Sequence, residues 1–391
     1  MNILEMSTES SVQVAFILPL AQHLRKQGHQ VVLACSDDPG EAGQSFVELL
    51  RRQGFEVQIL PIRRHISPFL DLWSVLKLYR YLRRRRFDVV HVRTAKAGMI
   101  GRLAARLARV PVIVYTAHAF PFHEYLSPWR VRLYALLERY AARLCDVIAV
   151  DSECVRARGL ACKVAPPDRI RVIPMGIDTE RFDPAKYRAE RESIRADLGL
   201  GPGSTVIGAV ARFVPDKGLD TLLRAVSMLA KKYPQLQCLL VGDGPLRDEL
   251  GNLAGKLGLD RRIVFAGYRT DIPRVLAAMD LYMLPTRREG FGVAFAEAMS
   301  MEVPVIASRI SPIDEIIVDG RAGLLVEAEN AAVFAEAAHR LLQNVEERRR
   351  LGGEGRKRVL EHFGQNLMCE AYERLFEEHY SRFRRFVQRK P

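Results

Sequence analysis

The chain has 391 residues, 48% of them hydrophobic and 27% charged, which is the composition of an ordinary soluble globular protein with about two or three domains. Its formal net charge is +13, and residues 1–180 hold most of the excess, with 26 Lys and Arg against 17 Asp and Glu. The six cysteines include no C-x-x-C pair and no zinc-type spacing with histidine, so we expect reduced thiols and no structural metal.

No targeting or membrane-spanning segment is predicted. The first eleven residues contain two acids and no lysine or arginine, unlike the basic start of a secretory signal peptide. Apolar runs such as Val14–Leu20 fall well short of the ~20 residues that span a bilayer. We expect a cytoplasmic protein that attaches peripherally to the inner face of the plasma membrane.

Basic residues of the front half form one run of four and two helical stripes, with spacing i, i+4, i+7 in the first stripe and i, i+7, i+11 in the second: Arg83–Arg86; Arg102, Arg106 and Arg109; and Arg132, Arg139 and Arg143. Such stripes suit a solvated helix face. They equally suit attraction to anionic lipid headgroups, to phosphate-bearing acceptors or to nucleic acid. No nucleic-acid-binding module is recognisable and aromatic residues do not interleave the stripes, so nucleic acid is not an expected partner.

Short apolar segments alternate with longer helical patterns along the whole chain. The predicted strands of the front half are Val31–Ser36, Val57–Ile62, Asp88–Val92, Val112–His118, Val147–Val150 and Arg171–Pro174. Those of the rear half are Val206–Arg212, Cys238–Gly242, Ile263–Gly267, Leu281–Leu284, Val303–Ala307 and Gly323–Val326. Helices are predicted between them, for example Phe16–Gln27, Ala97–Ala108 and Leu219–Ala230.

Runs of β-branched residues separated by helices indicate parallel sheets that are covered on both faces. We therefore predict an α/β fold of two doubly wound, Rossmann-like domains facing each other across a cleft. The boundary is predicted near Gly176–Pro184, which gives domains of residues 1–180 and 181–367. In open parallel sheets ligands bind beyond the carboxyl ends of the strands, so the residues after each strand are the candidate site.

The segment Glu289–Glu297 is the most informative of these. It places two carboxylates eight residues apart, with the glycine-rich loop Gly290-Phe291-Gly292 after the first and an apolar helix carrying the second. Glycines at a helix start let backbone N–H groups approach an anion. The pattern suits a nucleotide sugar, with its diphosphate on the loop and its hydroxyls on the acids. Eight helical residues span about 12 Å, which argues against the facing acid/base pair of a glycoside hydrolase.

Arg212 and Lys217 follow a predicted strand and precede a predicted helix. Two cations beside a helix N-terminus form an anion site, although a helix cap with incidental basic residues is the simpler alternative. Fixed cations can stabilise the charge on a departing diphosphate. The chain contains no Asp-x-Asp pair, which favours chemistry without a metal ion.

Five further candidate residues follow strands of the front and rear halves. His118 ends a strand and is expected to hydrogen-bond the transferred group rather than to be structural. Tyr268 is interpreted either as a contact to a nucleobase or as an ordinary buried aromatic residue. Lys96, His123 and Glu124 are the candidates for contacts to an acceptor.

Several motifs together resemble a known family, the retaining glycosyltransferases of family four with the GT-B fold. In the rear half they are Arg212 with Lys217-Gly218, the segment Glu289–Glu297 and the turn Asp319-Gly320-x-x-Gly323-Leu-Leu. In the front half they are His91–Gly98, Tyr115–Glu124 and Val172–Asp178, which are similar to the bacterial branch that builds capsule, exopolysaccharide and lipid-linked oligosaccharide. The resemblance covers nearly the whole chain.

The resemblance implies a donor site in the rear half and an acceptor site in the front half. Arg212 and Lys217 would bind the donor diphosphate, Glu289 the sugar hydroxyls, and Glu297 the ribose, while the backbone at Gly290–Gly292 would cradle the sugar and the β-phosphate. His118 would contact the sugar near the reacting carbon. The final helices, residues 368–391, would complete the first domain. No metal or cofactor is implied beyond the nucleotide-sugar donor, and the acceptor would be a saccharide, in particular one linked to polyprenyl diphosphate.

The sequence departs from the family pattern at three loops. Ser7–Ser11 replaces the glycines that are common after the first strand, Ala119 replaces the glycine after His118, and Ser311-Pro312 replaces a glycine pair. A sugar-nucleotide epimerase of the same architecture and a non-catalytic transferase-like scaffold therefore remain as alternatives. A nicotinamide dehydrogenase is disfavoured, because the pattern G-x-G-x-x-G occurs nowhere in the chain.

Overall fold

The computed structural model describes residues 1–10, 13–36, 46–63, 67–122 and 126–388. The chain divides into two compact units, one formed by Met1–Pro174 with the C-terminal segment Asn366–Pro391 and the other by Met175–Gln365. Each unit is built around one parallel sheet.

The first unit contains a seven-stranded sheet with the order β3-β2-β1-β4-β5-β6-β7 among its described residues. The strands are β1 Asn2–Met6, β2 Gln30–Cys35, β3 Glu56–Ile59, β4 Val89–Arg93, β5 Val112–Ala117, β6 Val147–Val150 and β7 Ile170–Val172. Its helices are Leu18–Lys26, Phe46–Arg52, Pro68–Arg85, Ala95–Ala108, Pro128–Ala142, Glu153–Ala161 and Gln365–Gln388, with a π-helical turn at Gln13–Ile17 and a 3-10 turn at Pro167–Arg169.

The second unit contains a six-stranded sheet with the order β10-β9-β8-β11-β12-β13 among its described residues. The strands are β8 Thr205–Val210, β9 Leu236–Val241, β10 Ile263–Phe265, β11 Leu281–Leu284, β12 Val305–Ser308 and β13 Leu324–Val326. Its α-helices are Arg191–Asp197, Leu219–Ala230, Arg247–Lys256, Ile272–Ala277, Val293–Ser300, Ile313–Ile316, Ala331–Gln343 and Val345–His362, and 3-10 turns lie at Pro184–Lys186 and Pro215–Lys217.

The sheet of the first unit is buried on both faces, as its near-continuous apolar strands predict. Alternate residues of β5 divide between two cores. Val112 and Val114 pack with the C-terminal helix Gln365–Gln388, and Ile113 and Tyr115 pack with the helices that cross the opposite face. The C-terminal helix therefore belongs to the core of the first unit.

The predicted α/β architecture with two doubly wound units is confirmed, and all twelve predicted strands are present, two with the predicted bounds (Val147–Val150 and Leu281–Leu284) and the others with shifted ends. The structure adds β1, Asn2–Met6, which was not among them. The strand predicted at Val303–Ala307 begins only at Val305, because Pro304 has no N–H to donate to the ladder. The helix predicted at Phe16–Gln27 starts as α-helix at Leu18, where Pro19 occupies the first turn and its fixed φ favours a helix start.

The interpretation of the first arginine stripe as one exposed face was wrong. Arg102 is fully buried, its guanidinium lies 3.4 Å from Glu138 Oε2, and it stacks on the Tyr115 ring at 4.0 Å. Burial of a charge requires such a partner, and Glu138 supplies it. Arg106 and Arg109 remain exposed, so the stripe is split between core and surface.

Across the described ranges of the chain, no helix is both long enough and apolar enough to cross a bilayer.

Candidate active site

The sheet of the second unit reverses its strand order between β8 and β11, which are hydrogen-bonded neighbours. Successive strands extend from this pair in opposite directions, and in open parallel sheets ligands bind at the carboxyl edge of such a point. Three of the predicted site residues lie on these two loops. Arg212 and Lys217 follow β8, and Glu289 follows β11.

The backbone around Arg212 is fixed by two glycines of the neighbouring strand end. A Cβ on Gly242 would lie 2.0 Å from the Ala211 carbonyl oxygen, and a Cβ on Gly244 would lie 2.6 Å from that of Phe213. The Phe213 N–H donates to Asp243 O at 2.8 Å. The Arg212 side chain is exposed, and its guanidinium has no hydrogen bond or ion pair with any residue that the structure describes. It is therefore a cation on a constrained backbone that is available to an anion.

Lys217 ends the short 3-10 turn that precedes helix Leu219–Ala230. Gly218 follows with φ of +62°, and a Cβ there would lie 1.9 Å from the Pro285 carbonyl oxygen at the end of β11. Only glycine permits this approach of the two loops. As a result Lys217 Nζ lies 2.5 Å from Glu289 Oε1.

Two residues that the sequence analysis did not single out hold the loop after β11 in place. The Thr286 hydroxyl lies 3.0 Å from the Asp216 carbonyl oxygen and 3.2 Å from Glu289 Oε1. Arg287 donates to both carboxylate oxygens of Asp220, at 2.9 and 3.0 Å, and to the Pro215 carbonyl oxygen at 2.6 Å. Their position directly after β11 was the available signal, because side chains there reach the turn that follows β8.

The glycine-rich segment leads into helix Val293–Ser300, for which Gly292 is the N-cap with φ of +101°. A Cβ on Gly292 would meet Ile313 Cδ1 at 2.6 Å, so this backbone also requires glycine. No side chain caps the helix, and its first N–H groups point toward the carboxyl edge, where an anion is favoured. Phe291 is buried against the Phe363 ring at 5.6 Å, so it offers its backbone rather than its side chain to a ligand.

Glu297 lies in the second turn of that helix and is partly buried. Burial raises the pKa of its carboxyl group to about 7, and the nearby Arg181 opposes this shift. Among the described residues none hydrogen-bonds its carboxylate. A partly buried carboxyl group without partners is suited to accept hydrogen bonds from ligand hydroxyls.

Tyr268 follows β10 and is 61% exposed, so the alternative of a buried aromatic residue is wrong. Its ring is available for stacking.

In the first unit, the carboxyl ends of the neighbouring strands β5 and β6 bring together His118 and Asp151. His118 Nδ1 lies 2.7 Å from Asp151 Oδ2, and the Asp151 side chain is almost fully buried. Since a carboxylate only accepts hydrogen bonds, Nδ1 carries the proton. His118 Nε2 has no hydrogen-bond partner among the described residues. Asp151 was not among the predicted site residues, although its place directly after Val147–Val150 was a usable signal.

A second polar network is wholly buried beneath this edge. His91 lies 2.9 Å from Glu5 and 2.7 Å from the Thr116 hydroxyl, which in turn lies 2.9 Å from the Tyr372 hydroxyl. Burial lowers the pKa of His91. The network ties the central strands to the C-terminal helix.

Of the three candidate acceptor residues, Lys96 forms an ion pair with Asp71 at 2.9 Å. His123 and Glu124 lie outside the described residues. One group in the described ranges, His29 with Glu373 and Glu377, places three metal-type ligand atoms within 4.8 Å of one another, and it includes none of the candidate site residues.

Two models of known protein families match the chain, one in each half. A model of Glycosyltransferase Family 4 matches residues 13–181, and a model of Glycosyl transferases group 1 matches residues 190–358. The UDP-Gal:alpha-D-GlcNAc-diphosphoundecaprenol alpha-1,3-galactosyltransferase of Escherichia coli is 33% identical over 287 residues, which cover 71% of this chain and 72% of that protein. The capsular polysaccharide biosynthesis glycosyltransferase CapM of Staphylococcus aureus is 27% identical and covers 91% of both chains.

A solved structure shares the fold. Anabaena HepE, crystallised in complex with UDP and glucose, matches with a TM-score of 0.84 at 21% identity, over 97% of this chain and 100% of that one.

The close approach at Gly218 yields a stability prediction. Gly218→Ala should destabilise the second unit by about 3 kcal/mol or more, because a Cβ would collide with the Pro285 carbonyl in addition to the strain of a left-handed residue. Gly203→Ala is the matched control, since Gly203 has a similar φ of +68° with nothing near its Cβ position, and should cost only about 1 kcal/mol. Urea denaturation measures both. Equal losses would show that the contact with Pro285 is not a constraint.

Proposed function

The chain belongs to the glycosyltransferases of family four and has the GT-B fold that its motifs predicted, and we propose that it moves a hexose or N-acetylhexosamine from a nucleoside-diphosphate sugar to a hydroxyl of a saccharide acceptor. The proposed reaction retains the anomeric configuration and needs no metal ion. It serves cell-surface polysaccharide biosynthesis, as the name of the relative CapM suggests for that protein.

The observation that carries the proposal is the contact between Lys217 and Glu289 at the point where the second sheet reverses its strand order. A cation and a carboxylate held together at a carboxyl edge can bind the two ends of one ligand, the diphosphate and the sugar. Arg212 adds an exposed cation, and the start of helix Val293–Ser300 adds backbone N–H groups. These donors stabilise the negative charge of a departing diphosphate in the place of a metal ion.

In the proposed reaction the bond between the sugar C1 and the β-phosphate oxygen breaks, and the acceptor oxygen forms a bond to C1 on the same face of the ring. The departing phosphate takes the proton of the acceptor hydroxyl, so no nucleophile from the enzyme is required. Glu289 holds sugar hydroxyls and Glu297 holds the ribose. The exposed Tyr268 ring stacks on the base.

His118 is proposed to contact the transferred sugar through Nε2. Asp151 acts as a positioning residue, because its carboxylate holds the proton on Nδ1 and fixes the orientation of the ring. Lys96, His123 and Glu124 are proposed on the acceptor side.

Residues 1–180, completed by the C-terminal residues 368–391, are proposed to bind the acceptor, and residues 181–367 to bind the donor. We propose a saccharide linked to polyprenyl diphosphate as the acceptor. The name of the E. coli relative supports this, since that protein acts on a diphosphoundecaprenol-linked GlcNAc. The relative's UDP-Gal donor and the UDP bound to HepE make UDP-sugars the first donors to test.

The test is a donor assay on purified protein with panels of UDP- and GDP-sugars. A released nucleoside diphosphate together with a sugar on the acceptor supports a transferase. An isomerised donor sugar supports an epimerase, and no reaction with any donor supports a scaffold.

Lys217→Ala and Glu289→Gln should each lower the rate of sugar transfer by about 100-fold or more, because each removes a group that stabilises the departing diphosphate or orients the sugar. Lys232→Ala, which removes an exposed lysine with no role in the site, is the matched control and should retain full activity. Transfer assays at saturating donor check this. Wild-type turnover in Lys217→Ala or Glu289→Gln would contradict the assignment.

The raised pKa of Glu297 predicts a pH dependence of nucleotide binding. If ribose hydroxyls donate to its carboxylate, binding favours the ionised form, so affinity should rise as pH increases through about 7. Between pH 6 and pH 8 the dissociation constant of the free nucleoside diphosphate should fall about tenfold through this group. The Glu297→Gln variant should lose that dependence, while any contribution from phosphate titration remains in both proteins. Calorimetry measures it, and identical pH profiles would exclude Glu297 as the ribose ligand.

Asp151→Asn should lower kcat by about 100-fold with little change in the donor KM, because the amide keeps the shape of the side chain but loses the charge that orients His118. Asp146→Asn is the control, since it changes a carboxylate that accepts from the Ile113 N–H in the same sheet. A purely structural role would appear as a loss of thermal stability with kcat intact. The kcat-to-KM split together with the melting temperature separates the two.

A further inference from the structure

Exposed apolar side chains concentrate on one side of the first unit. Among the described residues, twenty large hydrophobic side chains are strongly exposed, and eleven of them lie on three helices: Phe69, Leu72, Trp73, Leu76, Met99, Leu107, Trp129, Leu133, Leu136, Leu137 and Tyr140. We call these eleven residues the outer apolar surface. The three helices, Pro68–Arg85, Ala95–Ala108 and Pro128–Ala142, pack side by side over the same face of the sheet.

Helix Pro128–Ala142 is apolar on two opposite faces. At 100° per residue, its buried residues Ala135 and Ala142 point to the core, while Trp129, Leu133, Leu136, Leu137 and Tyr140 form a stripe about 150° away. A surface helix of a soluble protein normally carries polar residues there. The stripe is instead bordered by exposed arginines on both sides, at Arg130, Arg132 and Arg143.

Helix Pro68–Arg85 also has an exposed apolar stripe next to basic residues, with the apolar residues in its first half and the basic residues in its second half. Its outward face carries Phe69, Leu72, Trp73 and Leu76 in the first half, at i, i+3, i+4, i+7 spacing. The same face continues with exposed basic residues in the second half: Arg80, Arg83 and Arg84. The predicted basic run is therefore the continuation of an apolar stripe.

The residue types on the outer apolar surface indicate which kind of partner it binds. Both tryptophans of the chain, Trp73 and Trp129, lie on the outer apolar surface and are 52% and 61% exposed. Only two acids occur on the three helices, Asp71 and Glu138, and each is held by a cation, Lys96 at 2.9 Å and Arg102 at 3.4 Å. The outward face is thus aromatic, aliphatic and basic, which is the composition of groups that lie at the boundary between lipid headgroups and acyl chains.

We propose that the outer apolar surface inserts into the headgroup region of an anionic bilayer, with the bordering arginines bound to lipid phosphates. Attachment then depends on apolar insertion and not on the arginine stripes alone. This proposal does not depend on which sugar is transferred or on whether transfer occurs.

A second copy of the chain fits the surface less well than a bilayer. A two-fold contact would place the arginine-bordered surface of one copy against the same surface of the other, and no acid on the outward faces is free to neutralise the arginines. Anionic headgroups neutralise the same arginines and leave the apolar side chains among acyl chains.

Three aromatic residues of the outer apolar surface lie toward the same edge of the sheet as His118. In a parallel α/β sheet each crossover helix starts at the carboxyl edge, so Phe69, Trp73 and Trp129 in the first turns lie toward the edge that carries His118. If the proposed function holds, a lipid-linked acceptor would therefore present its headgroup at that edge.

The test uses the full chain with vesicles of phosphatidylcholine alone or mixed with phosphatidylglycerol, without donor or acceptor. The wild-type protein should co-sediment with the anionic vesicles, and its tryptophan emission should shift to the blue, because both tryptophans leave water. Failure to bind the anionic vesicles overturns the proposal. Binding without a change in emission also overturns it, since that result means attachment by charge alone.

The decisive variant is Leu133→Ser/Leu136→Ser/Leu137→Ser, which removes apolar side chains and keeps both tryptophans. Its affinity for anionic vesicles should fall more than tenfold. The matched control is Met228→Ser/Val345→Ser/Leu360→Ser, which removes three side chains of similar exposure from the second unit and should bind as the wild type does. Equal binding of both triple variants contradicts insertion.

Two further measurements separate this proposal from its rivals. Size-exclusion chromatography with light scattering detects a dimer, and a dimer that the Leu133 triple variant abolishes would replace the bilayer with a second copy. Transfer to a soluble acceptor should be unchanged in the same variant. A failed donor assay therefore contradicts the proposed transferase activity, whereas a failed vesicle assay contradicts the proposed insertion into the bilayer. Unchanged melting temperatures show that the exposed substitutions leave the fold intact.

Discussion

The close approach of two loops at the carboxyl edge of the second sheet is the constraint on which the candidate site depends. The turn after β8 can lie against the end of β11 only because Gly218 has no Cβ to meet the Pro285 carbonyl oxygen. This approach brings Lys217 to Glu289, and Arg287 fastens the same two loops with hydrogen bonds to Asp220 and Pro215. A cation and a carboxylate that are 72 residues apart in sequence are thereby fixed to each other before any ligand arrives.

Each of the two units places a pair of one basic and one acidic side chain at the carboxyl edge of its sheet. In the first unit the pair is His118 with Asp151, held after the adjacent strands β5 and β6. In the second it is Lys217 with Glu289, held after the adjacent strands β8 and β11. In both, a carboxylate at the carboxyl edge orients a basic group, because parallel strands deliver their following residues to one edge. The repeated topology therefore accounts for the repeated chemistry.

Local pattern was sufficient for the architecture, since β-branched runs between helices define parallel strands and their order of appearance. It was also sufficient for residues that follow a strand and carry useful chemistry, such as Arg212 and Glu289. The local pattern did not show which strands are neighbours in the sheet. Asp151 becomes a partner of His118 only through the pairing of β5 with β6, and a sequence without strand order does not show that pairing.

The spacing of residues along a helix also did not show which side chains are buried. Arg102 has the i, i+4, i+7 spacing of a surface stripe, yet it is the residue that the sheet covers, because Glu138 on a neighbouring helix compensates its charge. On that neighbouring helix the opposite occurs, since Leu133 and Leu136 are exposed although apolar residues usually mark a core face. Periodicity finds faces of a helix, and packing decides which of them is covered.

The electrostatic state of the proposed donor site follows from these contacts. Lys217 and Glu289 neutralise each other, and the pKa of about 7 leaves Glu297 only partly ionised at neutral pH. Arg212 and the start of helix Val293–Ser300 are then the groups that attract an anion. In the proposed donor complex, Lys217 would gain the diphosphate as a second negative partner, and Glu289 would turn its oxygens to sugar hydroxyls. Under the proposed function, the ion pair is therefore an arrangement that offers one group to each half of a nucleotide sugar.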